Sequence, residues 1–130
     1  MRTRITLTRD GDMFVARISV EQAMACSEAL AFLRGRGLGT TALAVQLGAS
    51  PETVGALAER LAGGQPESFE LRLTTHELHI LHSALTAAAT MFVSHGRFSQ
   101  EPFHIRLGFF RETFDALALG IVEAVSEVSA

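Results

Sequence analysis

Leu47-Gly48-Ala49-Ser50-Pro51-Glu52-Thr53-Val54-Gly55-Ala56-Leu57-Ala58 is the stretch that decides the fold, because Leu107-Gly108-Phe109-Phe110-Arg111-Glu112-Thr113-Phe114-Asp115-Ala116-Leu117-Ala118 carries the same skeleton. Leu, Gly, Glu, Thr, Ala, Leu and Ala recur in the same order at the same spacing. A shared helix with a shared buried stripe explains such recurrence. The chain therefore reads as one domain built of two repeats, about 13–64 and 68–128, with an extra N-terminal strand at 2–8.

Within the first copy, Ser50 can cap a helix, Pro51 suits the first helical position, and Gly63-Gly64 ends it after Val54, Leu57 and Leu61 have lined one face. The preceding segment is two-sided. Leu43 and Leu47 stand four apart as on a helix, whereas the counterpart Phe103-His104-Ile105-Arg106-Leu107 alternates like a strand. The wider stripe Phe103, Leu107, Phe110, Phe114, Leu117 and Ile121 steps by three and four, which tips both 40–47 and 102–108 toward helix and leaves strand as the alternative.

Further upstream, Ser19 and Gln22 have capping-box spacing, so a helix is expected from Val20 to Gly35 with Ala23, Met24, Ser27, Leu30 and Ala31 inward. Before it, two alternating runs flank Asp10-Gly11, the turn chemistry of a β-hairpin. Phe69-Glu-Leu-Arg-Leu-Thr matches Phe14-Val-Ala-Arg-Ile-Ser, and Thr74 with Glu77 repeats the capping box before a long helix running to about Ser94. That helix is apolar on two sides, Leu78, Leu81, Leu85, Ala88 and Phe92 against Ile80, Ala84, Ala87 and Met91, as a sandwiched helix is. A last helix is expected from about Phe110 to Val128. The predicted class is α+β: a small antiparallel sheet, made of the N-terminal hairpin plus the strand near 69–73, packed by four or more helices, with a pseudo-twofold relation between the halves.

The totals bound function. At 130 residues the chain can bury roughly two-thirds of its unfolded surface around one core. It is 48% apolar with a mean hydropathy of +0.26, which leaves apolar surface for a partner and makes a homo-oligomer, a dimer first, the expected state. A net charge of -3 and a pI near 5.9 give no electrostatic footprint for nucleic acid or anionic membrane. Every basic residue is Arg, with no Lys, Asn, Tyr or Trp, a bias that looks like codon usage in a GC-rich genome. One cysteine, Cys26, excludes an internal disulfide; set in an Ala-rich helix without a cationic neighbour, it is expected to be buried and inert. With no apolar leader and no spanning segment, the expected compartment is the cytoplasm.

Thr41-Ala-Leu-Ala44-Val-Gln-Leu-Gly48-Ala-Ser-Pro-Glu-Thr-Val54 resembles the helix-turn-helix signature of bacterial regulators, with Ala44, Gly48 and Val54 at the small, glycine and β-branched positions. The resemblance implies a DNA-binding unit over 41–62 whose second helix enters a major groove, with Glu52, Thr53 and Arg60 as its contacts. The repeat offers the other explanation: the same skeleton recurs around Gly108, where Phe109 and Phe110 break the signature, so helix packing accounts for both copies.

His76, His79 and His82 recur every three residues and are the candidate metal ligands. Three in a row spiral across about 120° of a helix, so one misses a compact site, and further ligands would have to come from His95, His104 or Glu101. Surface histidines are the expected reading. The loops Arg34-Gly35-Arg36 and Gly96-Arg97-Phe98 each join Gly to Arg and could flank an acidic partner. Ser-His-Asp order, paired carboxylates and a Gly-x-Ser-x-Gly turn are all missing from the sequence, so no catalytic residue and no cofactor is assigned. The expected function is a non-catalytic, self-associating protein-interaction module of antitoxin, immunity or small-regulator type. Its partner contacts are expected at Ile80, Met91, Arg34, Arg36, Arg97, Phe98, Phe103 and Phe109. The alternatives are the DNA-binding regulator and a small-ligand or metal-binding protein with its site between the repeats.

Overall fold

The computed structural model describes residues 5–35, 37, 39–62, 68–95 and 111–129. Over them the chain runs β1 (Thr6–Asp10), β2 (Met13–Ser19), α1 (Val20–Arg34), α2 (Thr40–Leu47), α3 (Pro51–Leu61), β3 (Ser68–Thr74), α4 (Thr75–His95) and α5 (Arg111–Ser129). This is an α+β fold: the N-terminal hairpin and β3 form one antiparallel sheet of order β1-β2-β3, accompanied by five helices.

Gly11, at φ 63, opens the hairpin turn that joins β1 to β2, a conformation that costs glycine nothing. The register pairs Leu7 with Ala16 and Ala16 with Leu71, then Arg9 with Phe14 and Phe14 with Leu73. Residues directly opposite share a face, so Leu7, Phe14, Ala16, Ile18 and Leu73 are buried together while Thr8, Arg17, Glu70 and Arg72 face out. The outer face is laced by two ion pairs, Arg17 to Glu70 at 3.0 Å and Arg72 to Asp10 at 2.6 Å, the second reaching across β2. Both pairs are more than half exposed and are worth at most about 1 kcal/mol each. Arg9 stacks over the Phe14 ring, 5.6 Å from its centroid.

Three of the expected helix starts, those after Ser19, Ser50 and Thr74, are built from their caps. Gln22 N–H donates to Ser19 Oγ and Ser19 N–H to Gln22 Oε1, closing a capping box. Glu77 N–H donates to Thr74 Oγ1 and Thr74 N–H to Glu77 Oε1 in the same way. Ser50 Oγ accepts from Thr53 N–H ahead of Pro51. The 40–47 segment is helix α2, ended by Gly48 at φ 73; its counterpart 102–108 lies outside the described residues.

Helix α4 sits at the centre, packed by α1, α2, α5 and β3. Its two apolar sides are both enclosed: Leu78, Leu81, Leu85 and Ala88 on one, Ile80 and Ala84 on the other. Ile80, expected as a partner contact, is fully buried and offers no surface, because the second face of a sandwiched helix is filled by the chain's own elements. The stripe expected on α1 is also rotated. Ala23 and Leu30 are buried as expected, joined by Cys26, Ala29 and Leu33, but Met24 is 49% exposed and Ala31 is exposed. Small and apolar residues surround α1 so evenly that periodicity marks no single face; α3 and α4, packed on two sides, decide which residues go in. No helix among the described residues is long and apolar enough to cross a membrane.

Candidate binding surface

Helix α5 lays Phe114, Leu117, Ala118, Ile121 and Ala124, at spacings of three and four, against α4 and β1. On its opposite side Leu119 is 58% exposed and Val122 49% exposed. Asp115 precedes Leu119 by one turn and Glu123 follows it by one turn, so on a helix the leucine stands between two carboxylates on the outer face. Val122 continues this face into a cleft of roughly 340 Å³ between the two helices, with Thr75, Leu78, His79 and His82 on the α4 wall and Ile121 and Val125 beside Val122 on the α5 wall. With one arginine, Arg111, against Glu112, Asp115, Glu123 and Glu127, α5 by itself accounts for the chain's formal charge of -3.

The three histidines go separate ways. His76 places Nε2 2.8 Å from the Gly48 carbonyl, tying α4 to the turn after α2. His79 approaches Ser83 Oγ at 3.4 Å, and His82 lies half-buried in the cleft. Among the described residues no group of three or more His, Cys, Asp or Glu is placed to hold a metal.

Arg60, the cation of the DNA-binding alternative, is engaged within the fold. Nη1 lies 2.6 Å from Glu77 Oε2 and Nη2 donates to the Arg72 carbonyl on β3. Glu52 and Thr53 stand exposed at the start of α3. The exposed Arg34 turns toward α3: a Cβ on Gly55 would lie 3.3 Å from its Nη2. The glycine-rich turn after α1 borders a cleft of roughly 490 Å³ shared with Thr40, Leu43 and Pro51. Arg36, Arg97, Phe98, Phe103, Phe109 and the Met91 side chain, all expected partner contacts, lie outside the described residues, as do Glu101 and His104.

Cys26 is buried, and desolvation pushes its thiol up to about 12, which withdraws it from nucleophilic chemistry near neutral pH. Partial burial also raises the Glu28 carboxyl on α1, whose Oε2 is enclosed without a hydrogen-bond partner. Sequence reasoning passed over Leu119 and Val122. For Leu119 the signal was a carboxylate four before and four after it, on a helix whose buried stripe runs through Phe114, Leu117 and Ile121; Val122, with Ala118 and Ser126 at those positions, carries no such signal. No protein-family model, curated protein or solved structure matches the chain.

Proposed function

We propose that the chain is a duplicated, non-catalytic protein-interaction module that docks another polypeptide on the outer face of α5 and the cleft beside it. The observation that carries this reading is the pairing of two half-exposed apolar side chains, Leu119 and Val122, with an apolar-floored cleft. An apolar patch continuous with a concave surface is the usual form of an interaction site, whereas the single exposed Val45 on α2 and Met24 on α1 are ordinary for a protein surface.

The duplicated reading is supported by the two capping boxes, which stand 55 residues apart, each directly after a strand of the β2–β3 pair. Shifting β2 by 55 residues, the spacing that relates Ser19 to Thr74 and Gln22 to Glu77, takes Phe14 to Phe69, Ala16 to Leu71 and Ile18 to Leu73. The observed pairs are Phe14 with Leu73, Ala16 with Leu71 and Ile18 with Phe69. The two strands meet about a local twofold centred on Ala16 and Leu71, as any antiparallel pair does about its own centre. In this arrangement β1 lies along the outer edge of β2, and Arg60 takes the corresponding place on β3: Thr6 pairs with Arg17, and Arg72 is the equivalent of Arg17.

The test is recovery of binding partners from the protein's own cells with the wild-type chain and with Leu119→Asp as bait. A partner retained by the wild type and lost by the variant supports the reading. Equal recovery by both refutes the α5 surface.

A helix-turn-helix regulator is the second reading, favoured by the left-handed Gly48 between α2 and α3 and the Ser50 cap that starts α3. Groove readers use Arg, Lys, Asn or Gln on base edges and phosphates. The exposed residues opening α3 are Glu52, Thr53 and Ala56, and Arg60 is held by Glu77. Salt-dependent binding of the chain to genomic DNA fragments tests this reading; no binding at low salt ends it.

A further inference from the structure

We draw no further inference here: the strongest candidate, the cleft between α4 and α5 beside the exposed Leu119 and Val122, belongs to the surface already described, and nothing in the structure shows what covers it.

Discussion

Arg60 and Glu77 meet at 2.6 Å, beside the edge of β3 that no strand pairs among the described residues. Glu77 divides its two oxygens: Oε1 accepts from Thr74 N–H in the capping box of α4, and Oε2 accepts from Arg60, whose other terminal nitrogen donates to the Arg72 carbonyl. Unpaired strand edges invite association with other chains, and a charged side chain laid across the edge is a common protection. Arg60, a DNA contact only under the regulator reading, thus lies against the backbone of β3.

Arg60→Ala should lower unfolding free energy by about 1 kcal/mol in urea titrations, the scale of one partly exposed ion pair with a charge-assisted hydrogen bond. It should also raise concentration-dependent light scattering, because the β3 edge is uncovered. Glu77→Gln keeps the cap geometry that Gln22 provides in α1 and should cost less. Unchanged stability and scattering in Arg60→Ala would show that the edge needs no seal.

Alkaline unfolding isolates Cys26. The chain has no Lys and no Tyr, and arginine titrates above pH 12, so Cys26 is the one side chain that ionises on unfolding between pH 9 and 12. Its thiol is raised in the fold from 9.0 to about 12, so the folded state holds the proton longer than the unfolded state does. The associated stability is fully present below pH 9 and is lost as pH climbs toward 12, at up to about 1.4 kcal/mol per pH unit. Chemical denaturation at stepped pH should show this slope in the wild type and a flat profile in Cys26→Ala.

Gly48 is held at φ 73, where a Cβ would meet His76 Nε2 and His79 Cδ2 at 3.8 Å, an ordinary contact distance. Space is therefore available and backbone strain alone sets the cost. Gly48→Ala should lose about 1 kcal/mol by thermal denaturation, and Gly48→Asn less, since asparagine tolerates the left-handed region. Equal losses from both would point to the histidine contacts instead.

The two faces of α5 should separate in stability measurements. Phe114, with no exposed surface, should cost roughly 3–5 kcal/mol on replacement by Ala. Leu119→Asp should stay within about 0.5 kcal/mol of the wild type in the same urea titrations. A large loss for Leu119→Asp would mean that the residue is covered in the folded chain.

Much of this architecture was legible because its signals are local. The capping boxes at Ser19 and Thr74, the Asp10-Gly11 turn and the Ser50-Pro51 start each specify a boundary within a few residues, and the helices begin at or beside them. Faces were harder. The inward side of α1 depends on which helices pack on it: Cys26 turns in as expected of its type, but nothing in an Ala-rich sequence announces that Met24 turns out. Ile80 and Ala84 looked like surplus apolar surface because sequence cannot count how many elements surround α4. The surface on α5 was readable in principle, since Asp115, Leu119 and Glu123 are spaced by single turns, yet the exposure of Leu119 follows only once Phe114, Leu117 and Ile121 fix the helix's orientation. The setting of Arg60 was hidden for the same reason: its partners, Glu77 and Arg72, lie on later elements brought to α3 by the fold.

Hydrogen exchange on the chain, free and bound to the partner that Leu119→Asp fails to retain, tests the docking surface most directly. The account predicts added protection across Arg111–Ser129 and the cleft-lining first turns of α4, with α2 and α3 unchanged. Protection confined to 40–61, with α5 exchanging as in the free chain, would contradict it.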